Sequence, residues 1–248
     1  MKIEELVASD DEVESYKDDK LEVKVYGLNY PKSSILFEAL INARIEETGL
    51  NIPKVIEVSK INGRWAITSE YIEGESLYTK MLNEPNNIEM YINDMVELQL
   101  EVQKKRSPFL YKLKDKLMNQ INNLDCIDSA RKYELLMQLD SMPKHVKLCH
   151  GDFNPTNIVI HNNNMYIKNW SNASQGNASA DVANSYLFFA LHMPEYAKLY
   201  IDTFCKKSNT ELKYVQQWLA IVSAARLSEQ MEDENDLLMN WIDVVDYQ

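Results

Sequence analysis

Glycine is scarce in this chain, with six in 248 residues and none before Gly27. That excludes a glycine-rich phosphate loop over Val7–Asp19, because backbone N–H groups approach a phosphate closely only where no Cβ intervenes. Cysteine is scarcer. Cys126, Cys149 and Cys205 are odd in number, widely spaced and form no CxxC pair. They exclude a disulfide framework and a zinc knuckle, and they point to a reducing, cytoplasmic compartment. Long apolar runs are missing too: Tyr186–Ala190 and Trp218–Ala225 are too short to span a bilayer. The start Met1-Lys-Ile-Glu-Glu-Leu6 lacks the apolar core of a signal peptide. Positive charge is in deficit, with Lys+Arg 26 against Asp+Glu 38 and a net charge of −12. Such a chain repels nucleic acid and anionic membranes and suits a cationic small molecule, although solubility alone accounts for most of the charge. His145, His150, His161 and His192 show no metal-ligand spacing, and there is no internal repeat or low-complexity linker.

What is present is ordinary in bulk and divided in pattern. Apolar content of 45% and charged content of 26% fit a globular protein with one core or two lobes sharing a cleft. The N-terminal part reads as β-rich around one helix. Leu21–Tyr26 alternates, with Leu21, Val23 and Val25 on one face and Glu22, Lys24 and Tyr26 on the other. Gly27 and Pro31 bracket a turn. Ser33 or Ser34 is placed to cap a helix that runs to about Thr48 and stops at Gly49. Val55–Val58 and Trp65–Ile72 read as strands joined at Asn62-Gly63, a hairpin signal. From Leu77 the pattern turns helical, with apolar residues three and four apart over Asn87–Gln103, Lys112–Leu124 and Tyr133–Leu139. A short β insert spans Val146–Trp170, and helices return from Asp181.

The chemistry sits in Leu148–Ile160. A polar loop, His150–Asn157, lies between apolar runs, and His161–Asn164 reads as the turn of a following hairpin. Phosphoryl transfer asks little covalent work of a protein. It needs a carboxylate to orient the acceptor and take its proton, and oxygen ligands for a metal. An Asp and an Asn five residues apart on one loop supply one of each.

His150-Gly-Asp-Phe-Asn-Pro-Thr-Asn157 resembles the His-Gly-Asp-x-x-x-x-Asn loop of the aminoglycoside phosphotransferase and choline kinase superfamily. The resemblance implies an α+β, bilobal, protein-kinase-like fold. A small β-rich nucleotide-binding lobe would cover residues 1–75. A mainly helical lobe with the catalytic loop and acceptor site would cover 76–248. It also implies ATP and Mg2+ as cofactors, Asp152 as catalytic base and Asn157 on magnesium. Trp170, Gly176 and Asp181 fit the family's later Ile-Asp-Trp, Gly and Asp-Leu-Ala pattern. Lys24 resembles the strand lysine that holds the α- and β-phosphates, and Glu38 its helix partner. Glu38 stands out independently, since a carboxylate within Ile35–Ile41 faces an apolar surface unless it is paired. Ser69–Gly74 resembles the hinge, where backbone groups of Glu70 and Ile72 would bond adenine.

The pattern departs in two places. The phosphate loop lacks glycine, and Asn169 stands where the family has its main magnesium carboxylate. An amide oxygen still ligates magnesium but brings no charge. Strand alternation directs Lys168 away from Asn169; turned inward, it would compete with the metal. Two readings follow: a small-molecule phosphotransferase with a hydroxyl acceptor, or a kinase-fold binding protein with weak or no catalysis. For the acceptor site, Glu229, Glu232, Asp233, Glu234, Asp236, Asp243 and Asp246 would hold a cation, or form a solvated helix face. Trp218, Trp241 and Tyr247 would cage a quaternary ammonium, or fill the core. The acceptor's identity, the choice of ATP over GTP and the oligomeric state leave no sequence signal.

Overall fold

A computed structural model describes residues 5–9, 12–228 and 234–243. The chain forms two compact units, one of residues 1–83 with 155–172 and the other of 84–154 with 173–248. The first is built on a five-stranded antiparallel sheet of order β1-β2-β3-β5-β4. Its strands are β1 (Glu5–Ser9), β2 (Val13–Asp18), β3 (Leu21–Tyr26), β4 (Val55–Ile61) and β5 (Arg64–Glu70), with helix α1 (Lys32–Glu46) after β3. Asn62 and Gly63 both take positive φ, 50° and 83°, which matches the right-handed twist of the flanking strands and closes the β4–β5 hairpin. Arg64, beside the turn, ties it to β2 and β3, donating from Nη1 to Glu14 Oε2 at 2.6 Å and from Nε to the Tyr26 carbonyl at 2.9 Å.

Both faces of β3 are covered. Val23 and Val25 pack with Ala66, while Tyr26 packs with Ile35 and Ala39 of α1 and with Ile67 of β5. Complete burial of side chains such as Ile35 stabilises the unit by about 1.5–3 kcal/mol each. The helix starts one to two residues before the expected serine cap. Pro31 is its N-cap, with φ −62° and extended ψ, and no side chain caps the first turn. Proline fixes its own φ, and its carbonyl accepts from Ser34 and Ile35, so Ser33 and Ser34 fall inside the helix. The unit continues with β6 (Glu75–Ser76), α2 (Leu77–Asn83) and, after the chain returns at Pro155, β8 (Ile158–His161) and β9 (Asn164–Ile167). Left-handed Asn162 and Asn163 close the β8–β9 hairpin at the turn the sequence marks.

The second unit is helical. It contains α3 (Ile88–Lys104), α4 (Leu113–Asn122), α5 (Ser129–Ser141), α6 (Ala178–His192), α7 (Pro194–Ser208), α8 (Leu212–Leu227) and α9 (Asn235–Asp243). One small sheet pairs β7 (Lys147–Cys149) with β10 (Ser174–Gly176). Helix α6 is central, packing on α7 and α8, and Ala178–Ala183 is buried throughout. It starts three residues before the expected Asp181, because the Asn177 side chain accepts the Ser179 N–H at 3.1 Å. Gly176 lets β10 approach α4: a Cβ there would lie 2.5 Å from Leu113 Cβ. Among the described residues no helix is long and apolar enough to cross a membrane.

Candidate active site

The His150–Asn154 part of the loop belongs to the helical unit and is held from below by α6. Asp181, in the first turn of α6 and 3% exposed, accepts two backbone donors: His150 N–H at 3.0 Å and Gly151 N–H at 2.7 Å. Burial pushes its carboxyl above the ordinary carboxylate range, against the pull of the two N–H groups. Gly151 has φ +87°, so the reversal that aims both N–H groups at one carboxylate needs a residue without a Cβ. One turn along α6, Asn184 donates to the Gly151 carbonyl at 2.8 Å and Ser185 to the Phe153 carbonyl at 2.5 Å. Ser185 is itself fixed by a buried chain from Tyr200 through Gln99.

Asp152 emerges from this brace. Its N–H donates to His150 Nδ1 at 3.2 Å, so His150 accepts at Nδ1 and serves the loop's shape. One carboxylate oxygen of Asp152 accepts from Asn154 Nδ2 at 2.8 Å. A half-buried carboxylate with one oriented oxygen suits a base that must hold a hydroxyl in a fixed direction.

The β-rich unit holds the other predicted residues. Lys24 Nζ bonds Glu38 Oε1 at 2.7 Å, and the two side chains are 32% and 16% exposed. The pairing removes the unpaired carboxylate that the apolar helix face would otherwise carry. Burial, with Glu38 next, pushes the Tyr26 phenol far above its ordinary value, so it stays protonated beside the pair. Asn157 is buried, and its Oδ1 accepts from Asn169 Nδ2 at 2.6 Å. Glu70 ends β5; its N–H is given to the Lys54 carbonyl at 2.9 Å and its carboxylate accepts the Lys54 N–H. Ile72 lies in the irregular segment 71–73.

Lys168 departs from the alternation argument. Strand β9 ends at Ile167, and Asn169 takes a left-handed φ of +60°, so the two-residue period no longer applies. Lys168 turns to β3 and bonds Glu22 Oε2 at 2.7 Å. It lines a cavity of about 60 Å³ together with Glu22, Lys24, Glu38, Ser69 and Asn169. Asn184 and Glu22 carried no expectation, Asp181 only a place in the family pattern and Lys168 only an outward direction. A charged residue inside the apolar start Ala178–Ala183 was the available signal for Asp181; the Lys168–Glu22 pair spans 146 positions and left none.

The residues assigned to magnesium do not fit it well. The Asn157–Asn169 amides occupy each other and bring no charge, and an ammonium lines the cavity that Asn169 lines. Among the described residues no three His, Cys, Asp or Glu side chains gather as a metal group.

In the helical unit a cavity of about 1190 Å³ is lined by Asp115, Asn119 and Gln120 of α4, with Asn123, Asp125 and Asn235 beyond. A smaller one reaches Gly151, Asp181 and Asn184, and shares Lys116 and Gln120 with the larger. The expected C-terminal acidic cluster divides. Glu229, Glu232, Asp233 and Asp246, the Asp243 side chain and Tyr247 lie outside the described residues. Glu234 is taken by Arg226 at 2.5 and 2.7 Å. Trp218 is buried, and Trp241 packs edge-on to Tyr186 at 6.0 Å.

A β-rich N-terminal region and a helical C-terminal region that carries a braced His-Gly-Asp loop define a protein-kinase-like fold. The model of the phosphotransferase enzyme family, APH, matches residues 10–211, and the chain belongs to that family. No curated protein matches it by sequence. Among solved structures it is similar to a thermostable mutant of aminoglycoside phosphotransferase APH(4)-Ia, with TM-score 0.68, 15% identity, and 95% of this chain and 89% of that one covered. It is similar to amicoumacin kinase hAmiN, solved with AMP-PNP and Ca2+, with TM-score 0.65, 13% identity and coverage of 95% and 85%. It is also similar to a choline/ethanolamine kinase family protein from Mesorhizobium loti, with TM-score 0.62, 11% identity and coverage of 97% and 84%.

Proposed function

We propose that this protein transfers the γ-phosphoryl group of ATP to a hydroxyl of a small molecule, with Asp152 as the base. The observation that carries the reading is the double N–H clamp of Asp181 on His150 and Gly151, which fixes the backbone from which Asp152 projects. A residue required only for packing needs no such frame, whereas a base acting on one proton does. In the reaction, the acceptor hydroxyl gives its proton to the Asp152 carboxylate as its oxygen bonds to the γ-phosphorus. The bond to the β-γ bridging oxygen breaks, and ADP leaves. Lys24, held by Glu38, carries the counter-charge for the phosphates. Backbone groups of Glu70 and Ile72 would bond adenine, apart from the Glu70 N–H that the Lys54 carbonyl already holds. AMP-PNP in complexes of similar folds supports ATP as donor.

The acceptor reading rests on the large cavity. Its amides, Asn119, Gln120, Asn123 and Asn235, suit hydroxyl groups, and Asp115 and Asp125 suit an amine. A small polyhydroxylated, cationic acceptor fits this lining, and hygromycin B and amicoumacin in similar folds belong to that size class. Three unpaired thiols accord with a cytoplasmic setting. The test is Asp152→Ala. Turnover should fall by about 10²–10⁴-fold while ATP affinity stays within about twofold, because the base acts on the acceptor and not on the nucleotide. Parallel loss of both would overturn the assignment of the base.

A further inference from the structure

The cavity beside Lys24 holds two ion pairs. Lys24–Glu38 and Lys168–Glu22 each close at 2.7 Å, and all four side chains line the same small space with Asn169. Neither ammonium is on open surface: their side chains are 32% and 23% exposed. Against the family's Ile-Asp-Trp, this chain reads Lys168-Asn169-Trp170. One negative charge has gone and one positive charge has arrived, within two consecutive residues. The backbone that places Lys168 is itself tied, since its N–H donates to the Asn157 carbonyl at 2.9 Å. The Asn157–Asn169 amide pair supplies no carboxylate to draw in a divalent ion.

We propose that this pocket binds the polyphosphate of a nucleotide without a divalent cation, with Lys24 and Lys168 as its two counter-charges and Glu22 as the anion displaced on binding. The proposal rests on the nucleotide reading given above. Phosphate oxygens are stronger competitors for an ammonium than one carboxylate, because several of them share a larger charge. Glu22 is therefore a built-in competitor. It neutralises Lys168 while the pocket is empty and yields it when phosphate enters. Glu38 differs, because α1 keeps it against Lys24 as a positioning partner.

The experiment is calorimetric titration of ATP into the full chain, in magnesium and in EDTA, for the natural sequence, Glu22→Gln, Lys168→Arg and the double variant Glu22→Gln/Lys168→Met. The double variant leaves no lone charge in the pocket, so it isolates the ammonium from any folding defect. The proposal expects ATP affinity in EDTA within about threefold of that in magnesium. It expects affinity in EDTA to tighten by about tenfold in Glu22→Gln, to hold in Lys168→Arg and to weaken by about tenfold or more in the double variant relative to Glu22→Gln. Binding that requires magnesium and ignores both Glu22 and Lys168 would overturn the proposal while keeping the nucleotide reading. Absence of ATP binding in both buffers would overturn the nucleotide reading, and this proposal with it.

Discussion

Replacing Asp181 by alanine tests whether the loop is held as described. The carboxylate is buried and accepts the N–H groups of His150 and Gly151. Its removal strands one buried and one half-buried donor, and each unsatisfied donor costs about 1–3 kcal/mol, giving at most about 2–6 kcal/mol in all. Relief from burying a charge offsets part of this, since burial already opposes ionisation at this site. The expected loss therefore lies toward the lower end of the range, still a large share of a typical domain stability of about 5–15 kcal/mol. Asp181→Asn keeps one acceptor oxygen and should lose about half as much. Urea unfolding gives the stability, and amide exchange at Gly151 reads the local bond. The sign with pH is also fixed. A carboxyl raised above its ordinary 3.8 favours the folded state most below that value, and this contribution declines as pH rises toward the native value. Asp181→Asn should remove that decline. If Asp181→Ala changes stability by less than about 0.5 kcal/mol and leaves Gly151 exchange as it was, the brace does not exist.

Two further predictions follow from other contacts. Burial would raise the Glu234 carboxyl, but the Arg226 guanidinium outweighs it and holds the group below its ordinary 4.5. Stability from this pair is present above that value and lost as pH falls through the lower native one, so Glu234→Gln should destabilise near neutrality and match the natural chain in acid by circular dichroism. Asn169→Asp places a carboxylate in the cavity shared with Lys168; ATP affinity should fall by about tenfold in EDTA and recover with magnesium, measured by titration. No change in either buffer would remove Asn169 from the phosphate pocket.

Much of this arrangement was legible in the sequence where local rules act alone. Strand β3 runs over the six residues its alternation marks, and Asn62-Gly63 closes the hairpin it promised. The apolar helix face marked Glu38 as a carboxylate in need of a partner, and the family resemblance named Lys24, which it bonds. Legibility failed where two local signals competed or where one rule was run past its limit. Two serines after Pro31 read as caps, but proline's fixed φ set the helix start first. Strand β2, Val13–Asp18, is half-buried along its length and offers no apolar alternation to detect. Lys168 was aimed outward by a strand period that ends at Ile167, one residue too soon for the argument. The role of Asp181 depends on a partner loop 30 positions away, which no local window contains.

The central claim is phosphoryl transfer through Asp152, and phosphorus NMR of a reaction mixture tests it directly. The natural chain is incubated with ATP and, in separate tubes, amine-bearing and neutral polyhydroxylated acceptors, beside Asp152→Asn. The account predicts a phosphomonoester resonance growing in step with ADP for the natural chain, strongest with the cationic acceptors and weakened by salt, and none for Asp152→Asn. Nucleotide that is bound and never consumed across the whole panel, or an Asp152→Asn variant that forms the ester at the natural rate, would contradict it.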